Sequence, residues 1–201
     1  MIHAKARKRL DNFVLDAEIH DEGFVSLKGQ NGAGKSTFLN IIAGTLRGDE
    51  VLVEIGSKDV TGSIIEKRGI VLVTPQSIIP HLDVEKHLLW GAAVRKRNLE
   101  YEELKSVKRA LGIDYSGRLE KLSLGMQERV SLATAVLGGP KLILIDETFS
   151  NIDNKAEFIS EFRSLCADRK IDVIFTTQFD EDAQLSDHTY EILAGKSKRL
   201  R

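Results

Sequence analysis

The chain has 201 residues, enough for one compact unit of ordinary size with a substantial hydrophobic core. Its composition, with 42% hydrophobic and 29% charged residues, 16 glycines and 3 prolines, excludes the disordered, collagen-like and disulfide-rich classes. The formal net charge is −1, so no overall field favours nucleic acid or an anionic membrane.

Short apolar runs bounded by turn residues predict the strands of an α/β protein. Alternating apolar residues over 13–19 indicate a half-buried strand. The other predicted strands are 24–28, 51–55, 70–73, 142–145 and 173–175, with a late edge strand over 190–193. The runs at 70, 142 and 173 lack alternation, which is typical of parallel strands covered on both faces.

Apolar residues at helical spacing predict helices between these strands. They cover 37–43, with Gly44 as a cap, and about 84–92, 104–111 and 158–166. The stretch 77–135 has no convincing strand, so we predict a helical insertion there, in an α/β core formed by 1–76 and 136–201. Cys166, the only cysteine, lies on an apolar helix face and is predicted to be a buried hydrophobe rather than a reactive thiol.

A glycine-rich segment after the strand at 24–28 matches the phosphate-loop pattern G-x-x-x-x-G-K-[ST]. Its residues are Gly29, Gln30, Asn31, Gly32, Ala33, Gly34, Lys35 and Ser36, with Thr37 following. Glycines allow backbone N–H groups to approach phosphate oxygens, and the next helix directs its positive end at the same anion. Lys35 would supply charge to the β- and γ-phosphates and Ser36 would ligate Mg²⁺. The segment predicts binding of a nucleoside triphosphate.

Two acids end the apolar run 142–145. Asp146 and Glu147 fall at the carboxyl edge of a predicted strand, where α/β folds place ligands. We expect Asp146 to hold the Mg²⁺ shell and Glu147 to orient or deprotonate an attacking water.

With these motifs the sequence resembles an ATP-binding-cassette (ABC) ATPase domain, and further motifs follow in the family's order over nearly the whole chain. The segment 122–127, Leu-Ser-Leu-Gly-Met-Gln, is similar to the signature LSGGQ and contributes Ser123 and Gly125. By itself, Ser123 is explained as a helix N-cap. Gln76 matches the Q-loop glutamine, which touches Mg²⁺, and Asp153 lies in the D-loop of the dimer interface.

The resemblance implies a P-loop NTPase cassette with a RecA-like mixed sheet core, N-terminal antiparallel strands and a helical subdomain. It also implies ATP and Mg²⁺ as ligands, and two ATPase domains, identical or different, that pair head-to-tail around two ATP. Glu147, Gln178 and Lys35 are then the catalytic candidates, and Gln76 joins Ser36 and Asp146 at the metal.

The sequence departs from the family pattern at several positions. Gln178 replaces the switch histidine that contacts the γ-phosphate, and an amide donates hydrogen bonds but carries no charge. Leu124 and Met126 replace Gly and Gln of the signature, and Thr148 replaces a proline. Leu10 falls near the position of the adenine-stacking aromatic residue. We expect an active ATPase whose turnover is slow or partner-dependent.

The segments 8–15 and 74–84 look like ATPase subunits of molybdate/tungstate-type importers. The resemblance implies a separate membrane permease as partner, a solute-binding protein acting indirectly, no nucleic acid, and a place on the cytoplasmic face of the membrane. The segment 77–89 is explained equally well as a permease groove or as core of the insertion. The basic residues near both ends are interpreted as solvated chain ends. The alternatives are a soluble ABC ATPase acting on nucleic acid or in protein assembly, and an ATP-binding regulatory module with little turnover.

Overall fold

The computed structural model describes residues 1–201, which form ten strands and six α-helices. The strands are β1 (Ile2–Leu10), β2 (Phe13–Asp21), β3 (Phe24–Lys28), β4 (Glu50–Ile55), β5 (Lys58–Asp59), β6 (Ile70–Val73), β7 (Leu142–Ile145), β8 (Asp172–Thr177), β9 (His188–Leu193) and β10 (Lys196–Arg199). The helices are α1 (Lys35–Ala43), α2 (Val84–Val94), α3 (Tyr101–Ala110), α4 (Leu124–Leu137), α5 (Lys155–Asp168) and α6 (Asp180–Gln184). None of these helices combines the length and the hydropathy needed to cross a membrane.

One mixed sheet contains all ten strands in the order β5-β4-β1-β2-β10-β9-β3-β8-β7-β6. β3 lies between β8 and β9 and pairs with both in parallel, and β7 pairs with β8 in parallel. β1 pairs with β2 and β4 in antiparallel register. The predicted α/β class, mixed sheet and N-terminal antiparallel strands are therefore confirmed.

The chain forms two compact units. The first contains 1–72, 141–146 and 172–201, and thus the whole sheet except Val73. The second contains 73–140 and 147–171, and thus α2 to α5. The predicted insertion at 77–135 lies within the second unit, which also takes in α5.

The core of the first unit packs α1 against the sheet. Buried residues of β1 and β2 alternate with exposed ones over most of their length, so each of these strands buries one face, while β3 and β7 are buried along almost their whole length. Phe38 and Leu39 of α1 are fully buried in this core. The continuous burial of β7 is the property that its lack of alternation predicted.

The second unit is helical, and α4 is its most buried helix. α4 packs closely on α2: a Cβ at Gly91 would lie 2.4 Å from the carbonyl oxygen of Thr134, and His87 Nδ1 lies 2.8 Å from Thr134 Oγ1. Cys166 of α5 is buried, and burial raises the pKa of its thiol, so the prediction of a core cysteine is confirmed.

Several boundaries were predicted wrongly. β9 is not an edge strand, because β10, which was missed, pairs with it and shields it from the edge of the sheet. β1 was missed because its exposed face is basic and its buried face carries small alanines, which give a weak periodic signal. The basic residues of 5–9 and 196–199, near the two ends, lie on β1 and β10, and most of their side chains are exposed to solvent, as predicted. The helix predicted from 37 begins at Lys35.

Candidate functional site

The phosphate loop connects the central strand β3 to α1 in the first unit. Gly32 and Gly34 have φ of +78° and +108°, in the left-handed region that favours glycine. Gly34 precedes α1 directly and has no side chain that could cap the helix, while its carbonyl accepts the N–H of Phe38 at 2.9 Å. The N-terminal turn of α1 therefore opens onto the loop, which is the arrangement that binds phosphate in this type of turn.

Lys35 lies at the centre of this loop with only 5% of its surface exposed. Its Nζ donates to the carbonyl oxygens of Gly29 at 2.7 Å and Gln30 at 3.0 Å. The loop thus curls around its own ammonium group and holds a buried positive charge. Ser36 is exposed beside it at the start of the helix.

Asp146 and Gln178 leave the sheet at the same edge as the phosphate loop. β3, β8 and β7 are parallel neighbours, and the register pairs Lys28 with Thr177 and Ile145 with Phe175. The residues that follow these strands therefore emerge together at their carboxyl ends. Thr176 Oγ1 donates to Asp146 Oδ1 at 3.0 Å and orients that carboxylate.

Gln178 contacts the phosphate loop directly. Its Nε2 donates to Oδ1 of Asn31 at 2.7 Å. The first unit thus brings together the loop, the Mg²⁺ candidates Ser36 and Asp146, and the residue at the switch position. The contact between Gln178 and Asn31 was not predicted, because the spacing of these residues in the sequence gives no signal of it.

Leu10 and Phe13 lie at the junction of β1 and β2. Leu10 is 37% exposed, whereas Phe13 is partly buried, and two of its ring carbons lie 3.0 and 3.3 Å from where a Cβ of Gly34 would be. Phe13 therefore packs against the phosphate loop from the side of the core.

The remaining predicted residues belong to the second unit. Glu147, the residue after Asp146, is exposed and has φ of +58°, an uncommon conformation for a residue with a side chain. Gln76 is exposed in a turn at 74–78, where Thr74 N donates to Ser77 Oγ at 2.9 Å. Ser131 Oγ of α4 donates to the Ser77 carbonyl at 2.9 Å and fixes the turn to that helix.

Ser123 caps α4. Its hydroxyl accepts the N–H of Met126 at 3.3 Å, so the cap predicted for it is confirmed. Leu124, the first helical residue, is 62% exposed. Tyr115 donates its hydroxyl to the Met126 carbonyl at 2.9 Å, and burial raises the pKa of Tyr115 to about 12.

The first turns of α4 are joined to the segment that contains Asp153. A Cβ at Gly125 would lie 2.4 Å from the Asn151 carbonyl oxygen. Glu128, 5% exposed, accepts Asn151 Nδ2 at 2.6 Å and its backbone N–H at 3.1 Å. Arg129 donates to the Asp153 carbonyl at 3.1 Å. The structure thus brings Gly125 and the segment around Asp153 together.

Glu128 was missed in the sequence, although one signal was present. It lies at helical spacing with Leu132 and Ala135, both of which are buried, so an acid falls on an apolar face. A buried carboxylate needs hydrogen-bond donors, and Asn151 supplies them. Burial raises the pKa of Glu128, and the bonds from Asn151 act in the opposite direction.

Comparison with known proteins places these motifs in context. A family model described as "ABC transporter" matches residues 14–150. The molybdate/tungstate import ATP-binding protein WtpC of Archaeoglobus fulgidus is 32% identical over 203 residues, covering 97% of this chain and 84% of that protein. The spermidine/putrescine import ATP-binding protein PotA of Marinobacter nauticus is 32% identical over 203 residues, covering 96% of this chain and 54% of that protein.

The fold is similar to that of solved structures. An ATP-binding cassette of an ABC transporter in its ADP conformation aligns with a TM-score of 0.82 and 23% identity, covering 98% of this chain and 89% of that one. A dimeric cassette bound to ADP and Pi aligns with a TM-score of 0.80 and 21% identity, covering 100% and 99%. The chain spans most of the Archaeoglobus protein but only about half the length of several other curated relatives that it matches.

Proposed function

Because the chain belongs to the ABC transporter family of ATPases, we propose that it is the ATP-binding and ATP-hydrolysing subunit of an ABC importer, acting on a separate membrane permease. The observation that carries the proposal is the convergence of the phosphate loop, Asp146 and Gln178 at one edge of the first unit's sheet. Polyphosphate binding is the chemistry that this edge suits best.

In the proposed complex, the loop holds the ATP phosphates through backbone N–H groups and Lys35. The ammonium exchanges loop carbonyls for phosphate oxygens, which are stronger partners because they are charged. Ser36 and Asp146 fit Mg²⁺, since a hydroxyl and a carboxylate are the hard oxygen donors that this ion takes alongside substrate phosphates. The ion would neutralise charge on the β- and γ-phosphates.

Hydrolysis needs a group that holds the attacking water. Glu147 is our candidate because it follows Asp146 in the chain and matches the family's acid pair. Its left-handed backbone has a conformational cost of about 1 kcal/mol. Gln178 would act on the same water or on the γ-phosphate as a neutral hydrogen-bonding group.

The test of this step is the steady-state ATPase rate of the purified chain and of Glu147→Gln. We expect turnover in the wild type and a loss of at least about 100-fold in kcat in the variant, with ATP binding retained, because the amide cannot take a proton. Bound ATP without turnover, even with the permease present, would refute the enzymatic proposal.

We further propose that two such chains, or this chain and a related one, pair around two ATP, with Ser123 and Gly125 facing the partner's nucleotide. A dimeric structural neighbour supports pairing at the level of the fold. Light scattering of Glu147→Gln with and without ATP tests this step, because trapped ATP should double the mass. A monomer at saturating ATP would contradict it.

For the cargo we propose an anion, with molybdate or tungstate as the first candidates. The names of the relatives support this choice in part: three WtpC proteins and two sulfate/thiosulfate import proteins stand beside a polyamine import protein. Uptake of radiolabelled molybdate, sulfate and spermidine would decide among them, when cells with the wild type are compared with cells that carry Glu147→Gln. The cargo is the compound whose uptake the variant lowers. Copurification with membrane subunits supports the permease, whereas a stable complex with DNA or ribosomes would favour the soluble alternative.

A regulatory ATP-binding module with little turnover is the second candidate. It is favoured by the uncharged Gln178 and by Leu124, whose exposed side chain covers the start of α4 where the family has glycine. The ATPase comparison above separates the two, since the regulatory module predicts equal, near-zero rates for the wild type and Glu147→Gln.

A further inference from the structure

The hydrogen bond between Gln178 and Asn31 joins the end of β8 to the phosphate loop. Gln178 Nε2 donates to Asn31 Oδ1 at 2.7 Å, and both side chains lie at the exposed surface of the loop. A single exposed hydrogen bond between side chains contributes little unless its two ends are already held in place. The surrounding contacts decide whether this pair is incidental.

Those contacts fix both backbones. The N–H of Gly29 donates to the Thr177 carbonyl at 3.3 Å, and Lys28 Nζ donates to Asp180 Oδ1 at 2.5 Å. Behind them, Thr177 Oγ1 donates to Asp182 Oδ2 at 2.9 Å, and both residues are buried. The turn that carries the glutamine is therefore tied to the phosphate loop on one side and to α6 on the other. The backbones of Gln178 and Asn31 are thus already fixed, so little conformational entropy is lost when their hydrogen bond forms.

The chemistry of a primary amide explains what the pair achieves. The amide has two N–H donors and one carbonyl acceptor in a single plane. When Asn31 accepts one N–H, the plane is fixed, and the carbonyl oxygen and the second N–H point in defined directions. A neutral group gains nothing from long-range attraction to phosphate, so its contribution to catalysis depends on such orientation.

We propose that Asn31 is a positioning residue for Gln178: the phosphate loop itself sets the orientation of the amide that acts on the attacking water and the γ-phosphate. This inference rests on the proposed ATPase function. Asn31 then has a role beyond lining the nucleotide site, because it acts through Gln178.

The first test is a double-mutant cycle on ATP hydrolysis by the full chain. We expect Asn31→Ala and Gln178→Ala each to lower kcat by about tenfold, the effect of one well-placed hydrogen bond, with KM for ATP within about twofold of the wild type. The double variant should lose no more than either single variant, since residues that act as a unit are not additive. Losses that multiply in the double variant would overturn the proposal, as would a rise in kcat in Asn31→Ala.

Asn31→Asp separates positioning from nucleotide binding. The carboxylate keeps the acceptor for Gln178, so the loss of kcat should be clearly smaller than in Asn31→Ala. The added negative charge beside the phosphates should raise KM. A fall in kcat equal to that of Asn31→Ala would contradict the inference. The matched controls are Asn98→Ala and Gln184→Ala, two exposed amides away from the loop, which should leave both constants unchanged.

A spectroscopic readout tests the pair without turnover. With a non-hydrolysable ATP analogue bound, the Nε2 protons of Gln178 should give a slowly exchanging NMR signal in the wild type and Asn31→Asp, and not in Asn31→Ala. An unchanged signal in Asn31→Ala would refute the positioning role even in an active enzyme. A chain that lacks ATPase activity but shows the expected signals would refute the proposed hydrolysis instead.

Discussion

Two helices of this protein, α1 and α4, begin at glycine-containing motifs, and each buries one charged side chain near its start, yet they use these features differently. Before α1, Gly34 offers no side-chain cap, and the buried Lys35 donates to the carbonyl oxygens of Gly29 and Gln30 in its own loop. At α4, Ser123 takes the N–H of Met126, and the buried Glu128 is engaged by Asn151. The start of α1 suits the binding of a ligand, whereas the start of α4 packs against the segment 151–153 of its own unit. We call this contact, formed by Gly125, Glu128 and Asn151, the α4 joint.

The glycines show the same difference. A Cβ at Gly32 would meet nothing within 4 Å, and this residue is constrained only by its φ of +78°. A Cβ at Gly125 would collide with the Asn151 carbonyl at 2.4 Å, although its φ is ordinary. Gly32 is therefore required by its backbone conformation, although there is room for a side chain. Gly125 is required by its packing against the Asn151 backbone.

Replacing the buried lysine should have the largest effect. Lys35→Ala removes the charge at the centre of the phosphate loop, and we expect ATP affinity to fall by at least about 100-fold, since charge-assisted bonds to phosphate are lost. Calorimetric titration with ATP measures it. Lys67→Ala, an exposed lysine of the same unit, is the control. Undiminished affinity in Lys35→Ala would show that the phosphates bind elsewhere.

Residue patterns predicted the α1 site better than the α4 joint, for a physical reason. The phosphate loop is local: eight consecutive residues form its turn, its charge and its helix start, so their identities reveal it. The joint is formed by residues far apart in the sequence, such as Glu128 and Asn151, and depends on tertiary packing. The same holds for β1 and β10, whose place in the sheet is set by pairing partners rather than by their own weak periodicity.

Replacing Gly125 and Gly32 by alanine tests this comparison through the stability of the two variants. Gly125→Ala should lower the free energy of unfolding by about 1–3 kcal/mol, because α4 and the Asn151 backbone must separate. Gly32→Ala should cost about 1 kcal/mol through its left-handed φ, with most of its effect on nucleotide binding. Urea denaturation of both variants checks the order, and equal losses of stability would remove the distinction between the two helix starts.

The capping hydroxyl of Ser123 should contribute less to the free energy of unfolding than the packing at Gly125 does. Ser123→Ala leaves the N–H of Met126 without its acceptor, and we expect a loss of about 1 kcal/mol in the free energy of unfolding. Ser123→Asp, which restores an acceptor, should recover most of it. If Ser123→Ala unfolds like the wild type but loses ATP-driven dimerisation, then the hydroxyl serves the nucleotide rather than the helix, and the contrast with α1 weakens.

The smallest effect we expect is on pH dependence, and it tests whether Glu128 belongs to the joint as a buried carboxylate. Burial raises its pKa above the ordinary value of 4.5, so the folded state holds this proton more tightly than the unfolded chain does. Its contribution to stability is therefore fully present below 4.5 and is lost as the pH rises through the raised pKa. Glu128→Gln removes this dependence. As the pH rises over that window, the wild type should therefore lose stability relative to the variant. Urea titrations at several pH values measure it, with Glu157→Gln on the exposed face of α5 as the matched control. A difference that does not change with pH would mean that Asn151 compensates the burial of Glu128 completely, and that the joint tolerates its charge as readily as the phosphate loop tolerates that of Lys35.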